Sequence, residues 1–403
     1  MIISLLKRKI TPPTDTIREL RLDGYTNRIG TALGVHDDIY LRLLRINDSN
    51  NSVIIGSLEL LGVNKVWQDS AKSVSRNVIL TATHTHSAPL ICNELIISWY
   101  GPCNENEMKY LKYVNDTLVN ALNMTNNYQT LKINEILLQE VDISNVCRNR
   151  NTLNGGKVLA HIIKGIDMNN EIPLLLHLPC HSTVLGASNL YITGDLAGYV
   201  TARLEETANS IVVPLIGAAG DVSTRFTRQR QDFDELKRLG DEVINSINKA
   251  KSITKIALNS LKYHELDINV PTRKKDIEEM ISTMEKSQGS TENIIRPFEI
   301  NAIKKMINVL PSKITVKLGA LILGNNIVLI FMPFEPLYDI QELLIEDIGN
   351  KYGKYILLIG YSYDYLGYLS NKNLISYESL LTIVHFNDVY SHLVEFIKNI
   401  IGK

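Results

Sequence analysis

NVILTATHTHSAPL, Asn77 to Leu90, is a short apolar run that ends in two histidines one residue apart. Successive side chains of a β-strand alternate faces, so this spacing predicts His84 and His86 on one face and Thr83 and Thr85 on the other. Val78, Ile79 and Leu80 read as a buried strand, and the small and polar residues beyond them as the strand's end entering a loop. Strand ends are where α/β proteins put their chemistry, and imidazole is the commonest metal ligand. Taken alone, a His-Thr-His triplet fits a metal site and a satisfied core equally well.

Four further apolar runs end in ligand-type or polar residues. IPLLLHLPCHSTVLGASNLYITGDLAGYV, Ile172 to Val200, places His181 at a strand end; His177, inside the run, reads as a core or supporting residue, and Asp195 as the N-cap of the helix LAGYVTARLEE. IVVPLIGAAGDVSTRF, Ile211 to Phe226, presents Asp221 and Ser223 after Gly217 and Gly220, glycines that would let the backbone come close to a ligand. No G-x-S-x-G elbow surrounds Ser223, so its hydroxyl reads either as a turn group or as a nucleophile. IVLIFMPFEPLYDI and ILLIGYSYDYLGYLSN put Glu335, and then Tyr365 and Tyr368, just past two more strands.

Between these runs, GVHDDIYLRLLRI and SVIIGSLELLGV read as strands, with His36, Asp37 and Asp38 in a turn. Glu105 to Met124 carries apolar residues at helical spacing, and LKINEILLQEVDI reads as strand. CRNRNTLNGG is a polar loop whose Arg150 could bind a carbonyl or carboxylate oxygen through its planar fork. From about residue 229 to 313 the chain is charged and helical, broken by the loop SQGSTEN and the strand-like LKYHELDINV. The sequence shows neither an internal repeat nor a domain boundary. The fold class expected is α/β, a single domain of a mixed central sheet flanked by helices, with a metal site at the strand ends.

Composition limits what such a site serves. The chain has 403 residues, 45% hydrophobic and 21% charged, with 42 basic against 43 acidic side chains. That balance leaves no electrostatic footprint for nucleic acid. No stretch approaches the length of a membrane span, the opening MIISLLKRKITPP has too short an apolar run for a signal peptide, and a soluble, cytoplasmic protein is expected. Cys92, Cys103, Cys147 and Cys180 lack C-x-x-C spacing and read as reduced thiols.

ATHTHSAP, CHSTVLG, GAAGDVS, MPFEP and YLGYLSN, in this order, resemble the neutral/alkaline non-lysosomal ceramidase family, especially its shorter microbial members. KITPP and GVHDDIYLRLLRI look like that family's first strands, so the resemblance runs from about Ile10 to about Ser379. It implies one zinc per chain held by His84, His181, Glu335 and Tyr368, and hydrolysis of an N-acyl amide in a lipid or a smaller compound. With such a metal in place, His86 would protonate the leaving amine or stabilise the oxyanion; Arg150 matches the arginine of the family's Asn-Arg segment, with slightly different spacing, as a catalytic candidate, and Ser223 falls on the serine of the GDVS motif, as nucleophile or orienting hydroxyl. HSAP stands where the family has HSGP, GDVST lacks the Pro-Asn of the long members, and no C-terminal immunoglobulin-like domain is expected. An esterase or phosphatase on the same site, or a metal-stabilised binding protein without catalysis, are the alternatives.

Overall fold

The computed structural model describes residues 1–49, 51–124, 128–152, 156–286, 297–372 and 376–402. The SQGSTEN loop lies outside them. The expected α/β architecture is present, but its mixed sheet is divided into three large sheets, accompanied by three two-stranded ribbons among the described residues.

The first sheet is built from β1 (Ile2–Lys9), β2 (Tyr40–Asn47), β3 (Ser52–Leu58), helix α1 (Lys65–Val74), β4 (Val78–Ala82), helix α2 (Glu105–Asn123) and β5 (Gln129–Lys132). The second repeats this order with β6 (Glu135–Asp142), β7 (Leu159–Asp167), β8 (Asn170–Leu178), α3 (Asp195–Ala208), β9 (Val213–Ile216), α4 (Phe233–Lys249) and β10 (Ser252–Ala257). The third has β11 (Leu261–Pro271), β12 (Lys313–Leu323), β13 (Ile327–Phe331), α5 (Tyr338–Leu344), β14 (Tyr355–Ile359) and α6 (Phe386–Ile401). Spatially the strands run β4-β3-β2-β1-β5, the same order being kept in β9-β8-β7-β6-β10 and, for four strands, in β14-β13-β12-β11. In each sheet the first three strands pair antiparallel and the fourth returns through a helix to pair parallel with the third. The architecture is thus a threefold structural repeat, which the sequence does not reveal because only the burial pattern, and no residue identity, has to be kept from one unit to the next.

Alternation along the strands assigns each residue to one of two cores. Ile79 of β4, Leu215 of β9 and Leu357 of β14 face an inner core where the three sheets meet. Their neighbours Val78 and Leu80, Ile216, and Ile356 and Leu358 face the outer core. The parallel fourth strands are buried on both faces, which explains their unbroken apolar runs. Helix starts follow local rules: Asn104 and Glu107 form a capping box on α2, and Asp232 accepts from the Glu235 N–H at the start of α4. The charged segment 229–313 supplies α4 and further helices at Lys274–Lys286 and Pro297–Val309, but also β10 and β11.

Polar bonds tie the sheets together at the strand ends. Ser57 donates to the Pro214 carbonyl at 2.6 Å, His177 Nε2 to the Leu358 carbonyl at 2.9 Å, and Thr81 to the Gly360 carbonyl at 3.1 Å. His177 is therefore a supporting core residue, as expected. Gly217 and Gly220 allow close packing: a Cβ on Gly217 would lie 2.5 Å from His177, and one on Gly220 2.8 Å from the Glu335 carbonyl.

The cysteines correct the sequence reading, since they form two disulfides, Cys92–Cys103 and Cys147–Cys180. The second pair is 33 residues apart and meets only because the loop before Arg150 folds against the end of β8. No helix among the described residues is long and apolar enough to cross a membrane. Titration of the denatured, unreduced protein is expected to find no free thiol, and four after reduction. Replacing Cys147 and Cys180 by alanine is expected to lower stability by about 2–4 kcal/mol, measured by denaturant unfolding; an unchanged midpoint would remove the cross-link's structural role.

Candidate metal centre and cleft

Each repeat sends residues to one point from the loops after its third and fourth strands. The first gives Leu61, His84 and His86, the second His181, Ala219 and Ser223, and the third Glu335, Tyr361, Tyr365 and Tyr368. β4 ends at Ala82, so His84 and His86 do not alternate along a strand as the sequence reading supposed. His84 instead adopts the left-handed conformation, φ 55°, a placement costing about 1–2 kcal/mol for a residue with a Cβ. That turn brings His84 Nε2 to 3.1 Å from His86 Nε2.

His84 Nδ1 lies 2.8 Å from the Leu61 carbonyl and His181 Nδ1 2.5 Å from the Ala219 carbonyl. Carbonyls only accept, so both Nδ1 atoms carry the proton and both Nε2 atoms offer a lone pair. These lone pairs converge on one carboxylate oxygen, Glu335 Oε2, at 3.2 Å from His84 Nε2 and 3.1 Å from His181 Nε2. Three buried acceptors facing one another repel unless a cation lies among them. Two imidazole nitrogens and a carboxylate fit zinc, and the ligand atoms of His84, His86 and His181 all lie within 4.8 Å of one another.

Tyrosines complete the surroundings. Tyr365 donates to Glu335 Oε1, Tyr361 donates to Oε2 at 3.5 Å, and Tyr361 stacks on His84 with ring centroids 4.2 Å apart. Tyr368 sits beside Glu335 as its register partner in a two-stranded parallel ribbon, with its hydroxyl within reach of Arg150. Burial pushes the Glu335 carboxyl up, whereas positive charge at His84 and His181 holds it well below the usual carboxylate range, the effect that a cation among them would have. Burial, and then the neighbouring imidazoles, push His86 well down.

A cleft of about 870 Å³ opens onto His86, His181, Arg150, Ser223 and Tyr368. Arg148 and Asn149 pair with Ser223 and Val222 as a short ribbon, which fixes Arg150 beside the Asp221 loop. Arg150 donates to the Gly220 carbonyl and, at 3.0 Å, to Glu378, and its buried Nε has no hydrogen-bond partner among the described residues. The Ser223 hydroxyl accepts from the Arg225 N–H at 3.3 Å, and no imidazole or carboxylate bonds it among the described residues. Asp221 accepts from the Tyr338 N–H at 2.8 Å and so anchors the start of α5. Asp195 is not the N-cap of α3, a position held by Gly194. Its carboxylate accepts the Val184, Leu185 and Leu196 N–H groups at 3.0, 3.1 and 2.7 Å, tying the His181 loop to the helix.

Several contributors escaped the sequence reading. Glu378 and Tyr377 come from a short helix far along the chain, while Gly24 and Tyr25 carry no motif. Gly24, φ 91°, packs so close to His86 that a Cβ there would lie 2.2 Å from the ring.

No family model matches the sequence, and no curated protein matches it either. Solved structures do match in fold. Neutral ceramidase from Pseudomonas aeruginosa aligns with a TM-score of 0.73 at 16% identity, over 98% of this chain and 73% of that one. A ceramidase complexed with C2 aligns with a TM-score of 0.74 at 14% identity, over 98% of this chain and 74% of that one. The fold of this chain is that of the neutral ceramidases, as the ordered motifs imply.

Proposed function

We propose that the chain is a zinc-dependent hydrolase of N-acyl amide bonds, acting on ceramide, another N-acyl lipid or a smaller N-acyl compound. The observation that carries the reading is the convergence of His84 Nε2, His181 Nε2 and Glu335 Oε2 at 3.1–3.2 Å, each imidazole proton being engaged elsewhere. The likeness of fold to two ceramidases supports the choice of an amide over an ester or phosphoester.

His84, His181 and Glu335 would hold the metal, with Tyr368 beside them as the fourth ligand. When bound, zinc supplies polarisation of the amide carbonyl and a water acidic enough to ionise near neutral pH. The chain's own groups do the rest. Tyr365 and Tyr361 hydrogen-bond Glu335 and fix which oxygen faces the histidines. His86 Nε2 points into the cluster, so this imidazole, neutral in its buried surroundings, takes a proton from the attacking water and passes it to the leaving nitrogen as the C–N bond breaks. Arg150, with Nε unengaged, holds a substrate oxygen. Ser223, without a base on its hydroxyl, orients the substrate.

Elemental analysis after dialysis is expected to find about one zinc per chain in the wild type and none in Glu335→Ala or His181→Ala. A wild type that takes up no metal even after zinc is added back would sink the reading. His86→Ala is expected to keep its zinc and lose about 10²–10⁴-fold in kcat on an N-acyl amide. Retained turnover in that variant would remove His86 from the chemistry. Ser223→Ala is expected to keep measurable turnover, and its complete loss would make Ser223 the nucleophile.

A further inference from the structure

The cleft carries charge that a neutral amide does not use. Arg150, Arg225 and Arg228 line it, and the one carboxylate among the described lining residues, Glu378, is taken by Arg150. Arg228 donates to the Thr183 carbonyl, beside His181, which aims its guanidinium at the site without neutralising it. Arg225 is exposed and has no ion pair among the described residues, although its N–H is tied to Ser223. Tyr25, on the same wall, lies within electrostatic reach of Asp195, whose carboxylate is engaged by three backbone N–H groups, and of Arg228, Arg28 and Arg150. Arg28 is spoken for: it donates at 2.6 Å to both the Asp23 and His86 carbonyls.

The apolar part of the lining is short, comprising Trp99, Phe226, Ala302, Ile303 and Leu381 beside the tyrosines. A compound with a neutral head would leave Arg225 and Arg228 uncompensated as it excluded water from them. A carboxylate would turn the same groups into charge-assisted hydrogen bonds, which are about twice as strong as neutral ones.

We infer that the substrate of this site is an N-acyl compound bearing a carboxylate, which Arg225 and Arg228 bind while the amide lies at the histidine cluster. This rests on the amide-hydrolase reading above and names its substrate class. The reaction balances as plain hydrolysis: the acyl carbon gains the hydroxyl of water, the C–N bond breaks, and the amine nitrogen takes the proton. The carboxylate could belong to the amine half or to the acyl half.

The test compares kcat/KM of the zinc-loaded enzyme on N-hexanoylglycine and on its neutral isostere N-hexanoylglycinamide. N-succinylhexylamine and its terminal amide form a second pair, with the carboxylate on the acyl half. In at least one pair the carboxylate is expected to win by about tenfold or more, and the advantage to shrink as salt is raised. Arg225→Ala should bring that ratio towards one. Arg18→Ala, which removes the same charge at an exposed position outside the cleft, should leave it alone. Ratios near one in both wild-type pairs, or a ratio indifferent to Arg225→Ala, overturn the inference while leaving the amidase reading standing. If none of the four compounds is hydrolysed, the amidase reading fails for this class, and calorimetric titration of the same pairs decides the carboxylate preference: tighter binding of the acid supports it, equal binding overturns it.

Discussion

One oxygen atom organises this molecule. Glu335 Oε2, buried at the floor of the cleft, meets His84 Nε2 and His181 Nε2 at 3.2 and 3.1 Å, two donor nitrogens and a carboxylate that positive charge among them would hold together. Each of the three structural repeats contributes to that point, His84 from the first, His181 from the second and Glu335 from the third. The site exists only when all three sheets are docked, so assembly of the inner core and assembly of the donor set are the same event.

The surrounding structure can be understood as what holds those three side chains still. Backbone carbonyls of Leu61 and Ala219 fix the imidazole tautomers, and two tyrosines fix the carboxylate. Asp195 clamps the His181 loop through three backbone N–H groups, and the Cys147–Cys180 disulfide joins that loop to the segment that carries Arg150. Behind them, the buried Arg42 is shared between Glu59 and Glu205, linking the first sheet to α3. Breaking such a buried network by removing one partner is costly because it strands the other charges. Left-handed residues occur at this centre too: His84, Asp195 and Tyr361 have positive φ. Strain of this kind persists only where packing over-determines the backbone.

The same economy shapes the cleft. Its floor is the histidine cluster, and its wall carries arginines whose charge is only partly answered by Glu378. Those arginines come from loops outside the repeated framework, so the wall can differ in charge while the three sheets stay the same.

The sequence by itself determined the buried strands, because short apolar runs such as VILTA and YILLI, rich in branched residues and closed by turn signals, are satisfied in a sheet interior, and it determined His84, His181, Glu335 and Ser223 as residues just past strand ends, with Arg150 in a polar loop. Those are local properties: periodicity, capping and the change from apolar to polar at the end of a run. Tertiary structure alone decided that the sheet divides into three, that His84 turns through a positive φ instead of alternating with His86, and that Gly217 and Gly220 make room for other parts of the protein. It also decided the pairing of cysteines read as free thiols, and the roles of Gly24, Tyr361 and Glu378. These depend on contacts between residues tens to hundreds of positions apart, which no window along the chain contains. A strand's end can be read from its own residues, whereas what it faces is set by the docking of the other two sheets.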